Sequence, residues 1–186
     1  MMWNRSSRKS SKEKFTSAQQ AYDCALDLLS YRDFSKKKMQ ERLQQKGADE
    51  EQAEEAIAKL QEYGLINDER YANRVYEGWL NKRCYGRQHL AAELSKRGIG
   101  GELSQRVLAR FTPELEAEQA ANAAELFLQR QRAKLAQLED ESLDSKAKLL
   151  LRNKIYAAAG RFMASRGFSS RYTQILWEKL QVNTDI

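Results

Sequence analysis

The chain has 186 residues and a formal net charge of +6, long enough for one or two ordinary domains, and its 41% apolar content suffices for cores spread along its length. A single proline, nine glycines and abundant Ala, Leu, Gln, Glu, Lys and Arg favour helix, and no alternating apolar run bounded by hairpin turns argues for strands, so the chain reads as all-α. No apolar run reaches membrane-spanning length and the basic N-terminus has no apolar core ahead of a cleavage site, so a cytoplasmic protein is expected.

Residues 1–16 carry five Lys/Arg against Glu13 and few apolar groups, and read as a disordered basic arm. A first helix is expected over about 17–32, with Ala18, Ala21, Tyr22, Ala25, Leu28 and Leu29 on one stripe. Ser35 is placed to cap a second helix, which carries Met39 and Leu43 inward and ends at Lys46-Gly47. Asp49 with Gln52 resembles a capping box for a third, which holds Ala53, Ala56, Ile57 and Leu60 and stops near Tyr63-Gly64. Glu50, Glu51, Glu54 and Glu55 belong to its opening turns, where the helix dipole favours carboxylates. No His, Cys or second acidic motif is spaced to complete a metal or acid–base site with them.

Asn67-Asp68 opens a fourth helix with Tyr71, Ala72, Val75, Trp79 and Leu80 at helical steps. It ends in Lys82-Arg83-Cys84-Tyr85-Gly86-Arg87, where cations flank an aromatic at a glycine turn. That combination suits phosphate contact with stacking, and equally a tyrosine packed into the corner between two helices while the cations stay in water. His89 has no paired nucleophile or ligand and is expected on a fifth helix beside Leu90 and Leu94. Gly100-Gly101 mark a loop, and Leu103, Val107, Leu108 and Phe111 form a sixth helix. Thr112-Pro113 starts a seventh, long and alanine-rich, to about Leu138. The run Glu139-Asp140-Glu141-Ser142 breaks the periodicity, and an eighth helix carries Leu151, Ile155, Ala158, Ala159, Phe162 and Met163 to Arg166-Gly167. Ser169 or Ser170 caps a ninth with Tyr172, Ile175, Leu176, Trp177 and Leu180. Cys24 and Cys84, far apart and on helical patterns, read as buried or half-buried free thiols.

One segment occurs three times: Leu43 to Gly47, Leu94 to Gly98 and Met163 to Gly167, each a hydrophobe closing on a basic residue and a glycine. Counting onward from each glycine, position nine is Ala56, Val107 or Leu176, position ten is Ile57, Leu108 or Trp177, and position thirteen is Leu60, Phe111 or Leu180. A glycine after a basic residue at a helix end reads as a left-handed C-terminal cap, and the offsets read as the next helix. One such unit cannot bury its own stripe, so the expected architecture is an elongated, curved array of either hand, built of three tandem three-helix repeats with about nine helices. The boundaries are 1–16 for the arm, 17–67, 68–112 and 113–181 for the repeats, an internal acidic linker near 139–144, and a tail at 182–186. Charge alternates along this order: residues 69–112 and 146–186 are basic, while 17–68 and 113–145 are acidic. Basic surfaces on the second and third repeats suit phosphates or an acidic protein groove, and also suit plain solvated helix faces.

Four stretches together resemble the RecX family, regulators of the RecA recombinase built from tandem three-helix repeats. They are Leu28-Leu29 with Arg32 and Ser35 leading to Met39, Glu41, Arg42 and Leu43; Tyr63-Gly64-Leu65-Ile66-Asn67-Asp68 with Arg70, Tyr71 and Ala72; Tyr85-Gly86 leading to Leu90, Glu93, Leu94 and Arg97-Gly98-Ile99; and Arg161-Phe162-Met163 through Arg166-Gly167-Phe168 to Ile175 and Trp177. The likeness covers about 21–180. Two departures stand out: the proline usual after the Tyr-Gly turn is Arg87 here, and the usual basic residue before the following aliphatic is His89, which makes the local charge pH-sensitive. The resemblance implies a non-enzymatic regulator, which binds the RecA–DNA filament and restrains its growth, ATP turnover and strand exchange; a monomer without cofactor or metal is expected. DNA would be met through the filament and weakly alone. On charge, the contact candidates are Arg83, Tyr85, Arg87, Lys96 and Arg97 in the middle repeat and Arg161, Arg166 and Arg171 in the last. Arg97 and Arg166 precede the capping glycines, where hydrogen bonding to the final helix carbonyls is an equal role. The alternative is a stand-alone nucleic-acid-binding helical protein, against which the acidic third helix argues. No phosphate-cradling glycine loop, metal-ligand spacing or nucleophile with a base points to an enzyme.

Overall fold

Local sequence signals set most of the helix boundaries. The computed structural model describes residues 14–182, and among them the backbone forms nine α-helices, one 3-10 turn and no strand. They fall into two units, Met1–Tyr71 and Ala72–Ile186, with the division inside the fourth helix.

In the first unit α1 spans Ala18–Tyr31, α2 Lys36–Lys46 and α3 Glu50–Glu62. Ser17, Ser35 and Asp49 have extended backbones and accept hydrogen bonds from the amides of Gln20, Lys38 and Gln52, and the Gln52 side chain returns a bond to the Asp49 amide, so the capping box is complete. Ala21, Ala25, Met39, Leu43, Ala53, Ala56, Ile57 and Leu60 fill the core between the three helices. The basic arm up to residue 13 lies outside the described residues, but its last part is not loose. Phe15 donates its amide to the Gly47 carbonyl at 3.0 Å, accepts from Gln52 Nε2 at 3.1 Å and packs against the core.

α4 spans Asp68–Leu80, opening with Asn67 Oδ1 accepting from the Arg70 amide, while Asp68 Oδ1 accepts from the amide of Lys36 at the start of α2. The second unit continues with α5 (Arg87–Lys96), α6 (Gly101–Ala109), α7 (Pro113–Ala136), a 3-10 turn at Gln137–Glu139, α8 (Ser145–Ser165) and α9 (Ser170–Val182). Gly101, read as loop from sequence, is already the first residue of α6, with Gly100 as its extended N-cap. α7 stops at Ala136 instead of near Leu138, where its last turn tightens, and Asp144 caps α8 after the acidic linker. Thr112 caps α7 with Pro113 at its first position. Trp79, Leu90, Leu94, Ile99, Val107 and Phe111 are buried around α4 to α6, with Trp79 meeting Phe111 edge-on at 4.8 Å between centroids. Ala120, Ala124, Phe127, Ile155, Ala159, Met163, Leu176 and Leu180 form the core of α7 to α9.

The repeated glycine corner has one geometry in all three copies. Gly47, Gly98 and Gly167 have φ of 119°, 78° and 77°, the left-handed conformation that costs a side-chain-bearing residue most. The following amide, of Ala48, Ile99 or Phe168, donates back to the carbonyl of Leu43, Leu94 or Met163 at 3.0, 2.9 and 3.1 Å, which satisfies a carbonyl the helix end leaves open. The residue after each glycine is buried, as are the hydrophobe before it and the ninth and thirteenth positions after it. The tenth position is buried only at Ile57; Leu108 and Trp177 are half-buried. Cys24 and Cys84 are free and half-buried.

Candidate interaction surface

Eight residues were singled out by charge, and the fold treats them in two ways. The loop after α4 turns at Arg83, a non-glycine residue with φ of 54°, and leads through Cys84 and Tyr85 to Gly86, the extended N-cap of α5. Here the second repeat meets the third, backbone against backbone. The Gly86 amide donates to the Arg166 carbonyl at 2.8 Å and the Gln88 amide to the Gly167 carbonyl at 3.1 Å. A Cβ on Gly86 would lie 2.4 Å from the Gly167 oxygen, and one on Gly167 would lie 2.2 Å from the His89 nitrogen. Only glycine at both positions permits this approach.

Side chains complete the junction. The Arg166 guanidinium lies 4.8 Å from the Tyr85 ring centre and 4.4 Å from that of Phe162, and donates to the Cys84 carbonyl at 3.2 Å. A cation held between two ring faces gains from both quadrupoles. The Arg87 amide donates to Glu116 Oε1 at 2.8 Å and its guanidinium to the Phe111 carbonyl at 2.9 Å. Glu116, on α7, is only 7% exposed, and its carboxylate sits at the N-terminus of α5, where unpaired amides and the helix dipole favour negative charge. Tyr85, Arg87 and Arg166 are therefore brought together, and they tie two repeats to each other. Of the two readings open for Tyr85, packing into the corner describes its position, but with Arg166 stacked on it instead of left in water.

His89 belongs to the same junction. Its ring centre is 4.2 Å from that of Tyr85, and Nδ1 accepts from Trp79 Nε1 at 3.1 Å, which requires Nδ1 to be unprotonated. Partial burial, with the charges of Lys82 and Arg166, pushes its pKa below the usual 6.5, against a smaller opposing effect of Glu93. The pH sensitivity expected from its presence is displaced to more acidic conditions.

Four of the other five candidates face outward. Arg83, Lys96, Arg161 and Arg171 are exposed, Arg171 lying 5.8 Å over the Tyr172 ring. Arg97 is half-buried and salt-bridged to Glu93 at 2.7 Å, one turn earlier on α5; that bond and burial act in opposite directions on Glu93, whose pKa falls. Charge alone missed two features. Glu116 and Gln119 are buried polar groups on α7, hidden in sequence because they occupy the inward stripe of an alanine-rich helix. The other is the first half of α8, where Lys146, Lys148, Arg152 and Lys154 flank Leu149 and Leu150, which are 49% and 53% exposed; its signal was a basic run without a carboxylate. Among the described residues, no helix is long and apolar enough to cross a membrane.

A family model described as "RecX, first three-helix domain" matches residues 21–60. The regulatory protein RecX of Trichlorobacter lovleyi is 30% identical over 88% of this chain and 99% of its own length. Those of Caldanaerobacter subterraneus and Syntrophotalea carbinolica are 35% and 36% identical over 56% and 47% of this chain; in these two the match spans just over half the relative, 53% and 58%. Among solved structures, RecX from Lactobacillus salivarius superimposes with a TM-score of 0.64 at 25% identity, covering 89% of this chain and 97% of that one.

Proposed function

Because the chain belongs to the RecX family of regulatory proteins, we propose that it acts as a monomer to restrain the RecA recombinase, binding the RecA–DNA filament and limiting its growth, ATP turnover and strand exchange. The observation that carries this reading is the junction of the Tyr85-Gly86 and Arg166-Gly167 corners. Two backbone hydrogen bonds and a stacked guanidinium hold the second repeat against the third. The exposed cations Arg83, Lys96, Arg161 and Arg171 are thereby carried on one connected scaffold. A filament offers repeated, charged protein and DNA surfaces, and a partner that presents several cations from a scaffold already ordered loses less entropy in binding it. The bonds within the junction leave Tyr85, Arg87 and Arg166 as positioning residues in this proposal, with the outward cations as the contacts.

The test is the DNA-dependent ATPase of RecA with the full chain added in increasing ratio. Inhibition well below one copy per RecA protomer marks action at growing ends, and inhibition only near equimolar ratio marks coating of the filament. An ATPase unchanged at every ratio, with the chain folded, rejects the proposal.

A further inference from the structure

Two helix faces, one in each unit, carry the same spacing with opposite charge. On α8, Lys146, Leu149, Leu150, Asn153 and Lys154 recur at three- and four-residue steps and all are exposed, so they form one outward face. On α3, Glu51, Glu54, Glu55, Ala58 and Glu62 recur in the same way and are exposed as well. Each face also leaves large apolar side chains in water. Leu149 and Leu150 are 49% and 53% exposed on the basic one, and Tyr63 and Leu65 are 62% and 43% exposed just past the acidic one. None of these lysines and glutamates takes part in an ion pair among the described residues. The one cation of α3, Lys59, lies 4.5 Å over the Tyr22 ring of α1, off this face. Helix electrostatics accounts for neither set. The dipole favours a carboxylate in a first turn, which covers Glu51, but its effect fades within that turn and opposes a carboxylate at the last residue of α3, Glu62. α8 opens the other way, with Lys146 in its first turn and no acidic residue anywhere along it. What the local field does not explain, an external partner of opposite charge does.

We propose that the basic face of α8 docks the acidic face of α3 of a second copy of this chain, with Lys146 and Lys154 set among the glutamates and with Leu149 and Leu150 covered by Tyr63 and Leu65. A contact between unlike faces is heterologous, so each copy keeps one face free for a further copy and copies join in a row. Two copies joined α8 to α8 would bring lysine to lysine, and a lipid surface would be offered only a pair of leucines. Exposed ion pairs are individually weak and screened by salt, and a patch about 12 Å long is smaller than the interface of a permanent dimer. The chain is therefore single when dilute, and the contact operates where copies are held close, as neighbours on one filament would be. This goes beyond restraint of RecA: the contact forms without RecA, and on a filament it makes the binding of neighbouring copies cooperative.

The experiment is sedimentation velocity on the full chain with RecA absent, from micromolar to near-millimolar concentration, at low salt and again at about 0.5 M salt. The weight-average mass of the native chain climbs above that of the monomer with concentration at low salt and returns to it at high salt. Lys146→Glu with Lys154→Glu, and separately Glu54→Lys with Glu55→Lys, each weaken this association about tenfold or more. All four positions are exposed, and circular dichroism checks that both variants keep their helices. Mixing the two variants in equal amounts restores association, because the unaltered α3 of the first meets the unaltered α8 of the second while the two reversed faces match each other. A native chain that stays monomeric at every concentration overturns the proposal, as does association that survives both reversals or a mixture that fails to recover it. Inhibition of the RecA ATPase is measured beside this. If the native chain never associates but the α8 reversal abolishes inhibition, the face meets the filament, and the proposal falls while restraint of RecA stands. If the native chain associates and the mixture recovers, yet RecA is never inhibited, the contact stands and the filament reading falls.

Discussion

At the scale of single residues, the junction between Gly86 and Gly167 makes the sharpest demand. An added methyl at either position would overlap backbone atoms, which cannot rotate aside, so Gly86→Ala and Gly167→Ala are each expected to destabilise the second unit by about 2 kcal/mol or more. Gly78→Ala is the contrast: it lies within α4 with nothing inside 4 Å of its added carbon, and removing a glycine from a helix interior should raise stability by about 0.5–1 kcal/mol. Urea midpoints of the three variants check this ordering. His89 sets a pH dependence of known sign. Its pKa is lowered on folding, so the unfolded chain binds the extra proton first; the stability that the neutral ring provides is complete above the unfolded value of 6.5 and is lost as pH falls through that value toward the folded one. Midpoints taken at about pH 7.5 and 5 should show the decline, and His89→Gln, which keeps an acceptor for the Trp79 indole but does not titrate in this range, should show less of it. No partner for His89 was legible locally because Trp79, the next-to-last residue of α4, becomes its neighbour only when the chain reverses between α4 and α5.

Elements were more legible than their meetings. Ser35, Asp49 with Gln52, and Thr112-Pro113 announced helix starts, and the three basic-Gly pairs announced helix ends, because caps are satisfied within five residues and are written locally. The pairing of Tyr85-Gly86 with Arg166-Gly167 is not local: its partners are separated by the whole of α5 to α8, and nothing near either corner names the other. The same applies to Glu116, a residue of α7 that caps α5. Removing its carboxylate while the Arg87 amide stays half-buried should cost about 1–3 kcal/mol in Glu116→Ala, and less in Glu116→Gln, which retains an oxygen acceptor without the charge. Thermal melts of the two variants, compared with the native chain, decide between a capping role and simple volume.

For the molecule as a whole, charge is arranged so that the contacts proposed for RecA and those that hold the fold use different arginines. Replacing Arg83, Lys96, Arg161 and Arg171 together by Glu should weaken inhibition of the RecA ATPase by about tenfold or more through lost complementarity, and most strongly at low salt. The fold should be unaffected within about 0.5 kcal/mol per site, since all four are exposed. Arg166→Ala should do the opposite, lowering the melting temperature first and inhibition only as a consequence. The placement of tryptophan offers a way to follow this. Trp79 is buried against Phe111, and Trp177 lies on α9, so once Trp3 is replaced by phenylalanine every indole in the chain belongs to the second unit. Emission then becomes a gauge of that unit alone, whereas far-ultraviolet circular dichroism sums helices from both. Curves that coincide would mean the two units come apart as one cooperative block, and curves that separate would assign each step to its own stretch of chain.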